Sequence, residues 1–568
     1  MTLHAPSFDS VPADTSEVAW AAFPKGHPYM HLRDALGEVF HDADFADLFG
    51  LGGQAALSPG VLVLVLVLQA LEHLSDRQAA DAVRSRLEWK YLLGLPLRDA
   101  GFDASVLSEF RARLLAGGAE RRAFDRLLEV CRARGLLKAR GRQRTDSTRV
   151  LSAARDLDRL ETVAEVLRHV LAVLVEVAPD WLRTWLAADW LGRYGRRLDT
   201  YRLPPDAAAR QALCRQVGTD GYELLRRIDA PDTPSWLRQV PAVQLLRQVW
   251  EQQYRQQGEQ VVWRSAEEWP PAEQEIRTPY DVQARYASKR GVGWCGYKLH
   301  LTETCDPDTP HLITHVETTP ATTPDVAVLG AVHDALAAHD ALPAEHRVDE
   351  GYADAAEMTR AAQTYQVTVV GKLRADTSAQ AHAAQGYDQS AFRIDWAART
   401  VTCPGGQVSR PWPEPPAGPA DGGGGLDAVR HTAKFPARVC QACEARAACT
   451  RATTGGRTIP LPARAVYETL HAQRAYQQTP QFAARYRPRA GIEGTVSQAV
   501  HGLGLRVSRY TGLAKTHLQH LFGALAINFA RLADWFADAP RATTRTARLA
   551  RFGAAIGLPA LALAPTFL

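Results

Sequence analysis

YKLHLTET, residues 297–304, is the stretch that decides the fold. The apolar side chains Tyr297, Leu299 and Leu301 alternate with polar ones, and a period of two is the pattern of a half-buried β-strand. A turn rich in Asp and Pro follows, and residues 311–318 form a second strand-like run. The stretch therefore predicts a β-hairpin.

Further segments with strand or helix character surround this hairpin. They are a strand over 145–151, a helix over 325–339, a strand over 346–349, a helix over 354–365, a buried strand over 367–372 and a closing helix with an apolar face over 518–536. From residue 145, with a helical insert before the hairpin, the order of elements through 372 is that of a ribonuclease-H-like α/β core. Such a core is a mixed sheet with helices on its faces, interrupted here after its first strand.

Length and composition predict several domains. A chain of 568 residues exceeds what one hydrophobic core normally serves, and 46% apolar with 23% charged residues is ordinary for a globular protein. The predicted divisions are a helical N-terminal domain over 17–140, the first part of the α/β core over 141–373 with a helical insertion at about 155–280, a Cys-containing insertion over 374–485, the C-terminal helices of the core over 486–540, and a tail over 541–568.

The N-terminal helices have the spacing of a helix-turn-helix. Ser58-Pro59 is an N-cap followed by a first-turn proline and opens a helix over 61–74, and Ser75-Asp76 caps a second helix over 77–93. A third helix is predicted over 104–115. The run is compatible with a DNA-binding helix-turn-helix and equally with plain helical packing, so both interpretations stay open.

No membrane-spanning or export segment is visible in the sequence. The longest apolar run, residues 61–68, falls short of the roughly 20 residues that cross a bilayer, so a buried element explains it. The first residues lack a basic start, an apolar stretch and a small-residue cleavage site. Eight cysteines in 568 residues are too few for a secreted disulfide scaffold. We expect a cytoplasmic protein with no membrane partner.

Three acids stand in distinctive surroundings. The segment 131–149 holds seven basic residues and one acid, Asp146, and the segment 486–516 surrounds Glu493 with basic residues. Asp146 and Asp349 are each predicted to lie at the end of a short strand, where an open sheet presents side chains to a crevice. The net charge of +4 is too small to indicate a nucleic-acid partner, so this local clustering carries the argument.

Such acids predict a metal site if the fold brings them together. Three neighbouring carboxylates repel one another by several kcal/mol at about 4 Å unless a cation neutralises them. Oxygen-only ligands favour Mg²⁺ or Mn²⁺. Two such ions, roughly 3.5–4 Å apart, activate a water or sugar hydroxyl and stabilise the leaving oxygen of a phosphodiester. The surrounding cations would then hold the flanking DNA phosphates.

Five blocks of the sequence carry a family resemblance. They are RTDSTRVLSAARDL (144–157), TPYDVQARYASKRGVGWCGYKLHLTETCD (278–306), HLITHVETTPATTPD (311–325), HRVDEGYADA (346–355) and YRPRAGIEGTVSQAVHGLGLRVSRYTGLAKTHLQ (486–519). Together they resemble the DDE transposases of bacterial insertion sequences, in particular the group named after insertion sequence 1182 within the insertion-sequence-four superfamily. The resemblance covers roughly residues 30–537.

The family pattern selects the catalytic residues. Its first Asp lies in a D-S-T block, its second precedes a G-Y pair, and its Glu lies in a Y-x2-R-x3-E pattern. These positions are Asp146, Asp349 and Glu493 here, so the resemblance implies that they are the catalytic residues and the ligands of two Mg²⁺ or Mn²⁺ ions. Glu350 is the neighbouring alternative, and because successive strand residues point to opposite faces, only one of the pair reaches the metal.

Residues near the acids are expected to bind DNA. They are Tyr486, Arg489, Arg506, Arg509, Lys515, Arg142 and Arg144. The sequence departs from the superfamily at one place: a lysine often follows the Glu by seven residues, and Val500 stands there, with His501 next. That phosphate contact would then have moved to Arg506 or Lys515, or been lost.

The resemblance implies an Mg²⁺-dependent DNA transposase. Such an enzyme binds the terminal inverted repeats of its element in double-stranded DNA, cleaves strands and joins the freed 3′ hydroxyls to target DNA. Family members generally act as oligomers on paired ends, which implies a homodimer or larger assembly associated with the nucleoid. Two alternatives stay open: a nuclease of the same fold that only cuts, and a non-catalytic DNA-binding regulator.

Four cysteines cluster in the second insertion. Cys403, Cys440, Cys443 and Cys449 are spaced C-x36-C-x2-C-x5-C, and four thiolates would close a tetrahedral structural Zn²⁺ site. The irregular spacing fits equally with reduced thiols without metal, and a redox role is the third alternative. The same insertion contains a Pro/Gly-rich stretch at 411–425 that is expected to be flexible.

Overall fold

The computed structural model of the protein describes residues 10–50, 52, 56–197, 204, 206–258, 260–413 and 431–539. The expected tail at 541–568 lies outside the described residues, as does most of the Pro/Gly-rich stretch at 411–425. What the sequence indicates about these two segments stays a prediction.

Helices precede the sheet, as the capping residues predict. They are α1 (Ala13–Ala22), α2 (Pro28–Leu36), α3 (Pro59–Glu72), α4 (Asp76–Ser85), α5 (Leu87–Leu93), α6 (Ser105–Ala116) and α7 (Arg122–Ala133). Ser58 accepts a hydrogen bond from the first turn of α3, and Ser75 forms a capping box with Gln78 of α4. The helix predicted over 77–93 is two helices, because Arg86 has an extended backbone between α4 and α5.

The first strand, β1 (Arg142–Leu151), leads into the predicted helical insertion. The insertion contains α8 (Arg159–Val177), α9 (Pro179–Arg183), α10 (Ala188–Tyr194), α11 (Ala207–Asp229), α12 (Pro241–Gln253), β2 (Tyr254–Gln257) and β3 (Gln260–Trp263). β2 and β3 pair as an antiparallel hairpin that the sequence pattern does not predict. Buried residues of α8, α11 and α12 give this insertion an apolar core of its own.

The remaining elements complete the sheet and its C-terminal helices. First come β4 (Arg285–Lys289), β5 (Val292–Thr304), β6 (Ile313–Pro320), α13 (Val326–Ala338), β7 (Glu345–Val348), α14 (Ala355–Tyr365) and β8 (Thr368–Val370). The Cys-containing insertion adds α15 (Ala379–Ala383), β9 (Arg393–Asp395), β10 (Thr400–Thr402), β11 (His431–Lys434), α16 (Ala437–Gln441), α17 (Arg446–Cys449), β12 (Thr458–Leu461) and α18 (Arg464–Tyr476). The last elements are α19 (Pro480–Tyr486), a 3₁₀ turn (Arg487–Gly491), α20 (Ile492–Ser497), a π-helical turn (Gln498–Gly502) and α21 (Leu513–Phe536).

β1 lies inside a six-stranded mixed sheet. It pairs antiparallel with β5 on one side and parallel with β7 on the other, and β8 runs parallel to β7. β4 and β6 pair antiparallel with successive parts of β5, so the predicted hairpin is present as β5 and β6. The protein therefore has a mixed α/β fold, as the order of elements predicts.

One apolar core joins the N-terminal helices to the sheet. α21 contacts both β6 and α3, and the core includes buried residues from all three elements. Phe40 stacks on Phe529 of α21 with 6.0 Å between ring centroids. The sequence predicts one apolar face for α21, but nearly every residue over 518–529 is buried, because helices cover the side that the sheet does not. The N-terminal helices are thus packed as part of the core.

The run VLVLVLVL forms the centre of α3, and residues 62–68 are all buried. A helix that is apolar all round is expected where neighbours surround it. Among the described residues, no single helix is long and apolar enough to cross a membrane; the sharply bent pair α3 and α4 meets such a criterion jointly, by length and composition only.

Leu66→Ala tests the shared core. Leu66 of α3 is 3% exposed, so its truncation is expected to lower the free energy of unfolding by about 2–5 kcal/mol. Hydrogen exchange measured by mass spectrometry should become faster in β5 and β6 as well as in the N-terminal helices. The matched control is Leu191→Ala, at a side chain 62% exposed, which should change stability by no more than about 0.5 kcal/mol. Faster exchange confined to the N-terminal helices would contradict a shared core.

Candidate active site

Strand pairing brings the first two acids together. Asp146 is the fifth residue of β1, and Asp349 directly follows β7. Thr145 of β1 and Val348 of β7 are paired in the parallel register of these strands. Asp146 and Asp349 are the next residues along the chain, so the two acids lie side by side. The sequence places Asp146 at a strand end; this is wrong, because β1 continues to Leu151, and only its pairing with β7 stops at Thr145.

A short helix brings the third acid to the same place. Glu493 is the second residue of α20, which packs on β1. Ile492 is fully buried, whereas the side chain of Glu493 is 44% exposed. The buried neighbour fixes the helix on the sheet and leaves the carboxylate accessible.

The guanidinium of Arg489 contacts all three acids. Its nitrogens lie 3.3 Å from a carboxylate oxygen of Asp146, 3.7 Å from one of Asp349 and 3.1 Å from one of Glu493. Arg489 and Glu493 are four residues apart, a spacing at which side chains of a helical segment meet. Three acids from remote parts of the chain thus share one cation. Glu350, the neighbouring alternative, is exposed and lines a cleft together with Lys298 and Asp325.

Asp146 is the most enclosed of the three acids. Its side chain is 20% exposed, against 45% for that of Asp349. Burial raises the pKa of Asp146 to about 6, and the nearby charge of Asp349 adds to this, while the Ser147 N–H, Arg489 and Lys289 act in the opposite direction. The Ser147 N–H donates to Asp146 Oδ1 at 2.7 Å, which fixes the orientation of the carboxylate.

The donor set of this site fits a hard divalent cation, although a guanidinium stands among the donors. All three side chains offer oxygen atoms, which Mg²⁺ and Mn²⁺ prefer. In the part of the chain that the structure describes, no group of three or more His, Cys, Asp or Glu side chains is arranged as the ligands of a metal ion. The carboxylates contact Arg489 instead, so a metal ion would have to compete with that side chain.

The predicted DNA-binding residues differ in exposure and in their partners within the protein. Arg509 and Lys515 are exposed, and Arg506 is partly buried. Arg142 is exposed but forms an ion pair with Asp306 at 3.1 Å. The prediction that Arg144 binds DNA is wrong. Its guanidinium is buried and binds the buried carboxylate of Glu303, so it is not available to a DNA phosphate.

Tyr486 and Arg489 also have partners inside the protein. The ring of Tyr486 stacks on Phe482 at 5.3 Å between centroids, with 15° between the planes. Arg489 and Lys372 each lie over the Tyr486 ring, at 5.6 and 5.4 Å. Tyr486 therefore helps to support the cation that the three acids share.

Several residues near the site lie outside the short motifs that select the three acids. Lys289 lies at the end of β4, and its charge lowers the pKa of Asp146. Asp325 accepts a hydrogen bond from Ser147 at 3.3 Å and pairs with Lys298 at 3.0 Å. Lys289, Lys298 and Asp325 also line a cleft of about 740 Å³ beside the acids. The one sequence signal for Lys289 is its place in a basic turn, SKRG; nothing in the sequence points to the others.

The four cysteines come together around one cavity of about 40 Å³. They are free thiols, and Cys440 Sγ accepts a hydrogen bond from the Arg457 N–H at 3.3 Å. Among the described residues, which include these four cysteines, no group of His, Cys, Asp or Glu side chains is arranged to hold a metal ion. The structural zinc site stays a prediction, as do the two other roles considered for these thiols.

Comparison with protein families identifies two segments. Residues 402–533 match the model of a transposase DDE domain, and residues 18–113 match that of a transposase domain known as DUF772. The two matches support a DDE transposase. The DDE match includes Glu493, while Asp146 and Asp349 lie outside both segments. Searches of curated proteins and of solved structures found no match.

A transposase DDE domain implies an enzyme of the nucleotidyl-transferase type, and such domains generally use divalent metal ions. The N-terminal match covers the helices from α1 to most of α6. The two matched segments therefore include most of the N-terminal helices and most of α21, which pack on each other in the shared core.

Arg489→Gln tests whether the guanidinium competes with a metal ion. Removing a cation about 3–4 Å from three carboxylates should strengthen Mn²⁺ binding to the DNA-free protein about tenfold or more, because the repulsion between cation and metal is lost. Isothermal titration calorimetry measures this affinity. Arg487→Gln, an exposed neighbour, serves as the matched control and should bind Mn²⁺ as the native protein does. Weaker Mn²⁺ binding by Arg489→Gln would mean that Arg489 holds the acids in place for the metal.

Proposed function

We propose that the protein is the DNA transposase of an insertion sequence. It binds the terminal inverted repeats of its element, and Asp146, Asp349 and Glu493 serve the cleavage and transfer of DNA strands. The observation that carries the proposal is the meeting of three acids, remote along the chain, at one guanidinium. The two transposase-domain matches support the class of enzyme.

The sheet supports the proposal that the core is ribonuclease-H-like. Across the sheet the strands run β6, β5, β1, β7, β8, with antiparallel pairing as far as β1 and parallel pairing beyond it. This is the mixed sheet expected for such a core, with α13 and α14 between its parallel strands along the chain. Asp146 then lies on β1, Asp349 directly follows the neighbouring strand β7, and Glu493 lies on a helix that packs on β1.

The three acids are the residues proposed to hold two Mg²⁺ or Mn²⁺ ions. When bound, these ions would activate the attacking water or 3′ hydroxyl and stabilise the leaving oxygen. The chain's own residues prepare the site: the Ser147 N–H orients Asp146, and the enclosed position of that acid excludes much of the solvent. Arg489, once the carboxylates have another cation, is free to bind a phosphate of the DNA.

Exposed cations of the core are proposed to bind the DNA backbone. Arg509 and Lys515 follow α20 along the chain, and Lys289 lies close enough to influence Asp146. For the DNA ends we propose the N-terminal helices, because α3 and α4 meet at 111°, within the range of a helix-turn-helix. By family resemblance the active form is a homodimer or larger assembly on paired ends, located in the cytoplasm at the nucleoid.

Two alternative functions predict different results in DNA cleavage and strand-transfer assays. A nuclease of the same fold would cleave element ends but would not join them to target DNA, so a strand-transfer assay separates it from a transposase. A non-catalytic regulator would bind the ends without cleaving them in Mg²⁺. The three acids argue against the regulator, because partly exposed carboxylates such as Asp349 and Glu493 repel DNA phosphates and a protein that only binds DNA gains nothing from them.

Neutral isosteres of the acids test the catalytic assignment. Asp146→Asn, Asp349→Asn and Glu493→Gln should each abolish cleavage of duplex DNA that carries the element ends, because each removes a metal-binding charge. Their affinity for the same DNA, measured in Ca²⁺ by fluorescence anisotropy, should stay near the native value. Glu350→Gln is the matched control and should cleave normally. Native cleavage by any of the first three variants would remove that residue from the site.

The salt dependence of DNA binding tests the proposed backbone contacts. Arg509→Gln and Lys515→Gln should each weaken binding at every DNA sequence and lower the slope of log K against log salt by about one unit, since each removes one phosphate contact. Arg183→Gln, at a side chain 77% exposed in the helical insertion, is the control and should keep the native slope. An unchanged slope for both test variants would place the DNA elsewhere.

A further inference from the structure

We infer that Glu303 is a positioning residue, which fixes the segment carrying Glu493 against the strand carrying Asp146. The inference rests on the proposed function, because these two acids are proposed to hold the metal ions together. Glu303 lies on β5, and its side chain is fully buried. It does not contact the shared guanidinium, and no motif in the sequence singles it out.

Both carboxylate oxygens of Glu303 are occupied. Oε1 accepts from Arg144 Nε at 2.7 Å, and Oε2 accepts from the Thr495 hydroxyl at 2.5 Å and from an Arg531 terminal nitrogen at 2.7 Å. Burial by itself raises the pKa of Glu303, but the charges of Arg531 and Arg144 and the hydrogen bonds from Thr495 and Arg531 together hold it below the ordinary value. Glu303 is therefore a buried carboxylate that two arginines keep ionised.

The contacts of Glu303 reach both sides of Glu493. On the N-terminal side, Arg144 donates to the carbonyl oxygen of Pro488 at 2.6 Å. On the C-terminal side, Thr495 of α20 binds Glu303 directly, and Arg531 donates to the Thr495 hydroxyl at 2.6 Å. The segment that carries the third acid is thus held at two points by one buried ion cluster.

Gly491 shows how closely this segment lies on the cluster. A Cβ atom at this position would lie 1.9 Å from a terminal nitrogen of Arg144. The backbone φ of Gly491 is −62°, which any residue can adopt, so the need for glycine here is steric. The backbone just before Glu493 therefore packs directly on the guanidinium that Glu303 binds.

α20 depends on such contacts for its position. It has six residues, fewer than two turns, and a helix of this length is not stable on its own. Arg144 and Asp146 are alternate residues of β1 and point to the same face of the strand. One face of β1 thus carries the first acid and the cation that anchors the helix of the third.

A buried ion cluster also stabilises the fold, so a loss of stability does not by itself test the inference. Breaking such a cluster at one member is strongly destabilising, because the remaining charges stay buried without partners. The experiment therefore needs a variant that removes one neutral hydroxyl and keeps every charged group, and a control that removes a buried hydroxyl elsewhere.

Thr495→Val and Thr359→Val form this matched pair. Thr495→Val removes the hydroxyl that binds Glu303 and keeps the shape of the side chain. Thr359 is equally buried on α14, where its hydroxyl binds the Ala355 carbonyl and the Thr469 hydroxyl, away from the three acids. Thr495→Ser keeps the hydroxyl and serves as the conservative variant. Glu303→Gln, if it folds, should show a larger effect than Thr495→Val.

Three measurements on the full chain decide the outcome: Mn²⁺ affinity by calorimetry, kcat for cleavage of end-containing DNA, and hydrogen exchange over residues 487–500. For Thr495→Val we expect Mn²⁺ affinity and kcat to fall by about 10- to 100-fold, a range typical of residues that orient metal ligands, with DNA affinity unchanged. Exchange over 487–500 should become faster. Thr495→Ser and Thr359→Val should keep native values in all three.

Equal effects of Thr495→Val and Thr359→Val would overturn the inference, because the hydroxyl would then contribute only stability. A native Mn²⁺ affinity in Asp146→Asn would instead overturn the proposed metal site. In that case hydrogen exchange still decides the positioning role, since it does not depend on a bound metal. Native exchange over 487–500 in Thr495→Val would reject that role as well.

Discussion

Three carboxylates at one guanidinium define the electrostatic constraint on which the core depends. Acids held this close are stable only with a cation between them, and Arg489 supplies it from the turn before α20. The register of two parallel strands places Asp146 beside Asp349, and the helix that follows Arg489 adds Glu493. Arg489 and Glu493 therefore lie on one short segment, and this segment packs on the sheet.

The acids of the core fall into two classes that differ in exposure. Asp349 and Glu493 are almost half exposed, so solvent and ligands can reach them. Glu303 is fully enclosed, and its charge is balanced by Arg144 and Arg531. An exposed carboxylate can exchange one cation for another, whereas an enclosed one holds its partners. The same chemical group is thus accessible to solvent in one place and enclosed by its partners in the other.

The sequence predicts those features that depend on local pattern. The alternation around Tyr297 predicts the hairpin, and short motifs select three acids that the structure does bring together. It does not predict features that depend on distant partners. The basic run before Asp146 suggests DNA contacts for Arg144, but the partner of that side chain lies 159 residues further on. Likewise, the pattern of α21 shows that one face is buried and cannot show that α3 covers another. Arg86, whose extended backbone divides a predicted helix, likewise pairs with a residue outside that helix, Glu72 of α3.

The packing of the N-terminal helices on α21 limits how such an enzyme could be retargeted. In proteins whose recognition module is joined by a linker, a chimera with a foreign module keeps a working catalytic half. Here the exchange of residues before β1 would strip the apolar cover from α21 and leave Phe529 without Phe40. Under the proposed role of these helices in binding DNA ends, specificity would therefore change through their surface side chains, one position at a time, more readily than through replacement of the whole unit.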